Sequence, residues 1–268
     1  MSIILGYSNS DPENNVMSHQ SKNVIIDRLA KKLTHLHIKV MRTQSNESKE
    51  VLWMRDVFFI IDKTCIICNL TTNDSIHKNR EQEYRAIIYE LMSTYKIEYL
   101  PDDVRLEGGD VIQSNNDIFV GVNERTNEKA ISHLQYLFPT KNIIPIRHND
   151  MHLDCVFSVV KNNVILYSRR RTHARDIQQL KEYCYGSIGY NCVNIDDEYD
   201  GILATNFLII NDNIIHNQRE KENSTVIRLL RDLGYTIHYV DIGDLWKEGG
   251  GIRCLTQWFT KLEKQLIY

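Results

Sequence analysis

Five side chains able to do chemistry stand inside short distinctive motifs: Asp56 in WMRD, Glu107 in LEGGD, His152 and Asp154 in MHLDC, and Cys254 in GGGIRCLTQ. The last motif is unusual, because the chain has only 12 glycines in 268 residues and three of them come just before this cysteine. A thiolate is a strong nucleophile. Glycine lets a backbone pass very close to another group, so the run is read as letting the chain lie flat against a substrate. His152 is the natural proton carrier near neutral pH, and Glu107 is placed to orient it or share its proton. Singly, each group has an ordinary explanation: a cysteine among glycines is commonly packing, a lone histidine a satisfied surface or core residue, an isolated carboxylate solvated. Their recurrence at one point of a repeat shifts the balance towards a site.

That repeat lies in the elements that must position them. Helices are expected over residues 21–36, 81–95, 127–138, 174–185 and 222–234, each with apolar residues at helical spacing on one face. After each comes an alternating run that reads as a strand: HIKVM, KIEYL, NIIPI, NCVNI and YTIHYVDI. A polar motif and a second strand follow. With Asp56, Glu107, His152, Asn206 and Cys254 as marks, the separations are 51, 45, 54 and 48 residues, a period of about fifty. The pattern predicts an α/β fold in which five similar αβ units surround a pseudo-fivefold axis, rather than one open sheet. The same loop of every unit then faces one central pocket. Residues 1–268 are expected to form a single catalytic domain.

A pocket rich in carboxylates calls for a cation, and a guanidinium fits because its planar fork of N–H donors is held on two edges by bidentate carboxylates. With the plane fixed, the Cys254 thiolate can attack the central carbon from one face. His152 then protonates a departing amine, and water or another amine opens the amidino-thiol intermediate. No metal and no organic cofactor is called for.

Bulk properties exclude several other classes. The net charge is −3 and the pI about 6.4, which argues against electrostatic binding to nucleic acid or an anionic membrane. The apolar N-terminal stretch is too short for a signal peptide, and no apolar run reaches membrane-spanning length. A cytoplasmic location is expected, with the six cysteines as thiols. In CIIC, Cys65 and Cys68 would point to opposite faces of a strand and so would not pair on a metal. The polar segment 8–20 is a loop or a lid over the pocket. The expected partner is a small guanidino molecule, and the assembly is left open, a homodimer being one option.

The four motifs together resemble those of the guanidino-group-modifying enzymes: arginine deiminases, agmatine deiminases, dimethylarginine hydrolases and amidinotransferases. The likeness spans residues 53–258, and no single motif carries it alone. It implies a five-bladed α/β propeller, the pentein fold. By the same resemblance Cys254 is the nucleophile, His152 the general acid/base and Glu107 its acidic partner, while Asp56 and Asp154 hold the guanidinium. LEGGDVI with VNERTN looks like arginine deiminase and dimethylarginine hydrolase, which makes Arg125 a reader of a substrate carboxylate. Arg80, in NRE, resembles a second such arginine, and Arg253 also resembles an arginine deiminase position. WMRD and GGGIRCLTQ look instead like agmatine deiminase, and EYRAII with MHLD like the amidinotransferases. The latter carry an aspartate where this chain has Glu107, and they are longer. The compact dimethylarginine hydrolases match in length but lack the Asp154 equivalent. Methyl groups would remove N–H donors that two aspartates expect, at about 1–3 kcal/mol. The expectation is therefore a hydrolase acting on arginine or a close relative to give a citrulline-type product and ammonia. The alternatives are an amidinotransferase, an agmatine or dimethylarginine hydrolase, or an inactive arginine-binding protein.

Overall fold

A computed structural model describes residues 2–8, 17–43, 50–70, 85–183, 190–196, 203–217 and 224–259. Arg80 and most of the segment proposed as a lid lie outside these residues.

Each motif runs into a short strand, and each strand opens the same small sheet. Phe58–Ile61 pairs antiparallel with Thr64–Ile67, which pairs parallel with Lys96–Tyr99 after the helix Arg85–Met92. The pattern repeats with Val111–Ser114, Asp117–Val122, the helix Glu128–Leu137 and Asn142–Arg147. It repeats again with Phe157–Val160, Val164–Tyr167, the helix Ala174–Tyr183 and Asn191–Asn194. The fourth sheet is Leu208–Ile210, Asn213–Asn217 and Thr236–Val240, bridged by the helix Thr225–Asp232. In these four units the antiparallel step is a tight hairpin, and the parallel step uses a helical crossover, as that geometry requires.

The fifth sheet joins the two ends of the chain. Thr256–Phe259 pairs antiparallel with Ser2–Leu5, which pairs parallel with Lys39–Arg42 after the helix His19–His35. The apolar stretch at the N-terminus, judged above only as too short for a signal peptide, is thus the central strand of this sheet. Five small sheets with one topology fit a pseudo-fivefold arrangement. A two-stranded pairing of Tyr7–Ser8 with Glu50–Val51 stands beside them.

Two of the helices begin where a serine side chain satisfies a free backbone N–H group. Ser18 accepts from the Ser21 N–H and Ser224 from the Ile227 N–H. Apolar packing lies largely between neighbouring sheets: Phe119 of the second meets Phe157 of the third with ring centres 5.1 Å apart. Cys65 and Cys68 are both buried, but they pack into different apolar clusters, as opposite faces of a strand demand. No helix among the described residues is long and apolar enough to cross a membrane.

Candidate active site

The motifs place their reactive groups at or just before the starts of the five opening strands, so these groups gather where the sheets meet. His152 and Asp154 flank the start of a single helical turn, Leu153–Cys155. Its position is set by Asp110, which accepts from the Leu153 N–H at 2.8 Å and from the Thr126 hydroxyl at 2.6 Å. Asp110 also meets His148 Nε2 at 3.0 Å. Gly109 admits the imidazole: a Cβ there would lie 2.7 Å from His152 Cγ.

His152 is held at both ring nitrogens. Nε2 is 2.7 Å from Glu107 Oε2, and Nδ1 is 3.5 Å from Asp56 Oδ1. Burial by itself would favour the neutral ring. The Asp56 and Glu107 carboxylates outweigh it and hold His152 well above the ordinary histidine range. The two carboxylates therefore favour the charged form of the ring. Glu107 also receives Arg125 Nη1 at 3.3 Å, and its backbone N–H donates to Thr126 Oγ1.

Cys254 faces a different set of groups. Asn206 Nδ2 donates to its Sγ at 3.1 Å and to Asp154 Oδ1 at 3.1 Å. Asn206 Oδ1 accepts from the Arg253 N–H at 3.0 Å, so one amide fixes both the backbone and the thiol. The thiol lies 4.0 Å from Asp154 Oδ1, while Asp154 Oδ2 lies 3.2 Å from Arg253 Nε. Burial raises the Asp154 carboxyl from its usual value, with Arg253, His152 and Arg55 pulling the other way. Beside it, Cys155 is held well above the usual thiol range by its hydrogen bond with Cys254 and by burial, and so stays a neutral donor. The two clusters, Asp56 with Glu107 and His152, and Asp154 with Cys155 and Cys254, also carry donor types that ligate metals. Within each, the donor atoms lie within 4.8 Å of one another.

The glycine run is required by the protein's own packing. A Cβ on Gly250 would meet the Trp53 ring at 2.0 Å, and one on Gly251 would meet Asn206 Oδ1 at 2.6 Å. Gly249 is in the left-handed region at φ 90°. The turn Leu245–Glu248 just before it is tied to the N-terminal helix by an ion pair between Glu248 and Lys22 at 2.7 Å.

Asp56, Glu107, His152, Asp154, Arg253 and Cys254 come together, all but Arg253 nearly fully buried. Arg125 reaches the cluster through Glu107 and also lines a cavity of about 640 Å³, with His148, Asp150 and Met151. Cys254 does not line that cavity. Three groups had no assigned role in the sequence: Asn206, a mark of the repeat; Cys155, beside Asp154; and Arg55, within WMRD. Arg55 is buried, its N–H donates to the Cys254 carbonyl at 3.1 Å, and burial with the neighbouring Arg253 pushes its pKa down to about 9.

Five small αβ sheets around a buried cysteine, a histidine and three carboxylates define the guanidino-group-modifying, or pentein, class. Within that class, a sequence model of arginine deiminase matches residues 8–186, and the chain belongs to the arginine deiminase family. The matched span includes Asp56, Glu107, His152 and Asp154 and ends before Cys254. A curated relative is the uncharacterized protein YkgA of Bacillus subtilis (strain 168). It is 28% identical over 212 residues, covering 77% of this chain and 68% of the relative. Among solved structures, the N-terminal domain of ArgZ is similar with a TM-score of 0.81 at 15% identity, over 96% of this chain and 97% of that one. It was solved with substrate and is described as an arginine dihydrolase from the ornithine-ammonia cycle in cyanobacteria. Against full-length ArgZ this chain spans 40% of the length. DDAH from Pseudomonas aeruginosa in complex with citrulline has a TM-score of 0.77 at 15% identity, over 96% and 98% of the two chains. At such identities the likeness is one of fold.

Proposed function

We propose that this protein is a hydrolase of the guanidino carbon of free arginine or a close relative, working through a covalent cysteine intermediate within one five-bladed propeller domain spanning residues 1–268. One observation carries the reading. Asp154 holds a guanidinium, that of Arg253, on one oxygen at 3.2 Å, while its other oxygen is 4.0 Å from the Cys254 thiol. A substrate guanidinium taking that carboxylate brings its central carbon within reach of the sulfur.

In this mechanism Asp56 and Asp154 fix the guanidinium plane and the Cys254 thiolate adds to the carbon. The imidazolium of His152 gives its proton to the departing nitrogen, which leaves as ammonia. The neutral ring then takes a proton from water, and the resulting hydroxide adds to the S-linked amidine. Collapse breaks the C–S bond, returns the thiolate and releases a ureido product. Glu107 keeps His152 oriented and favours its charged form. Asn206 donates to the sulfur, and Arg125 with Arg80 is assigned to the substrate carboxylate.

The test is product analysis with purified protein over arginine, agmatine, methylated arginines and guanidinoacetate, each with and without glycine as amine acceptor. Citrulline and ammonia from arginine alone is the expected result. Ornithine in place of citrulline would show a second hydrolysis, release only in the presence of acceptor would make the protein an amidinotransferase, and silence throughout would overturn hydrolysis of these guanidines.

A further inference from the structure

A second cavity, of about 260 Å³, opens along the five strands on which the reactive groups are mounted. Phe59, Gln113, Val159, Ile209 and Trp258 all line it, one from each opening strand. Arg55 and Arg253 line it as well, and its described lining contains no carboxylate. Arg55 is only 3% exposed. Its Nη1 donates to Gln257 Oε1 at 2.7 Å, and Gln257 is itself fixed by donating to the Phe58 carbonyl and accepting from the Trp258 N–H. Nε and Nη2 of Arg55 are buried and have no hydrogen-bond partner among the described residues.

Those two nitrogens form one edge of the guanidinium. Their N–H bonds run parallel, the geometry that receives both oxygens of a carboxylate-type anion at once. A buried cation with a whole donor edge unused is costly unless something accepts from it. The neighbouring Arg253 adds a second positive charge. We propose that this cavity is a binding site for a small planar oxyanion of the carboxylate type, held bidentate on Nε and Nη2 of Arg55. Its size suits an anion of a few heavy atoms, and its wall of strand residues excludes a longer chain. The site adjoins the guanidino-binding carboxylates, since Asp154 meets Arg253 at 3.2 Å and acts with Asp56 on the charge of Arg55, but it does not depend on which guanidine is hydrolysed. Because the Arg55 backbone N–H holds the Cys254 carbonyl, the occupant would sit against the segment that carries the thiol.

Formate is the probe. Wild-type protein is titrated with ¹³C-formate by NMR and calorimetry, and crystals grown with formate are compared with crystals grown without it. The expected result is saturable binding, one formate on the Nε–Nη2 edge of Arg55, and at least tenfold weaker binding in Arg55→Met. Should Arg55→Met fail to fold, Val159→Trp fills the same cavity from a partly exposed strand position and is expected to abolish binding. The proposal is overturned if Arg55 is met only by water in formate-grown crystals. Formate bound solely beside Arg125 in the larger cavity, or affinity unchanged in either variant, overturns it equally.

Discussion

Around His152 both ring nitrogens meet carboxylates, at 2.7 Å from Glu107 and 3.5 Å from Asp56, whereas Cys254 meets an amide at 3.1 Å and a carboxylate already engaged by Arg253. The imidazole half is complete in charge before any ligand arrives. The thiol half is closed by the chain's own arginine, and under the proposed function an incoming guanidinium has to take over Asp154 from Arg253. The difference teaches that one half of a site can be fixed in advance, while a carboxylate in the other half is paired with the chain's own cation. Without Arg253 the buried Asp154 would keep the Asn206 hydrogen bond but lose the cation on its other oxygen, at a cost in a buried setting.

The sharpest way to break this picture is to remove the sulfur. Cys254→Ser is expected to lower kcat by about 10⁴-fold or more, because groups acting as a unit fail together. Its thermal melting should stay close to wild type, and retained turnover in a steady-state ammonia assay would refute the covalent route.

Glu107→Gln tests the opposite half. A fall in kcat of about 10²- to 10³-fold is expected from weakened acid–base catalysis. The pH dependence carries more information. His152 has a folded value raised above its usual 6.5, so its contribution to stability is present below that value and fades as pH rises through the raised one. Removing one of the two carboxylates lowers the folded value. The alkaline limb of kcat, and the alkaline loss of stability, should both move to lower pH. A limb that does not move would show that Asp56 alone sets the charge of the ring.

Asn206→Ala sharpens the account of the thiol half. It deletes donors to Cys254 and Asp154 and the acceptor for the Arg253 N–H. With hydrogen bonds of about 1–3 kcal/mol to charged or buried groups at stake, kcat/KM should fall roughly ten- to hundredfold. Iodoacetamide trapping of Cys254 should change alongside it.

The smallest effects separate the two uses of glycine. Gly250→Ala forces a methyl against Trp53 and should cost about 1–3 kcal/mol of stability by overpacking. Gly234→Ala has open space around it and only a left-handed backbone to strain, at φ 80°, so about 1 kcal/mol is expected. Denaturant midpoints of the two variants check the order.

Much of this was legible because it is local. The helices expected at 127–138 and 174–185 appear as Glu128–Leu137 and Ala174–Tyr183, and the motif spacing marked where the opening strands begin. What could not be read depends on distant partners. The frame of the repeat differs from the one the sequence suggests: each sheet is a hairpin, then a helix, then a strand, and the fifth is assembled from residues some 250 positions apart in the chain. The glycines of GGGIRC looked like room for a ligand, because nothing near them in sequence announces Trp53 or Asn206. Asn206 was visible only as a mark in the period, and Arg55 was hidden beside Asp56, since an unused donor edge is a property of the fold.

The strand Ser2–Leu5 is made long before one of its neighbours, Thr256–Phe259, which lies some 250 positions later in the chain. During synthesis it can pair with Lys39–Arg42 on one side, while its other edge waits for nearly the whole chain. Contacts of such long sequence separation form late. An uncovered apolar edge is an invitation to the wrong partner in the meantime.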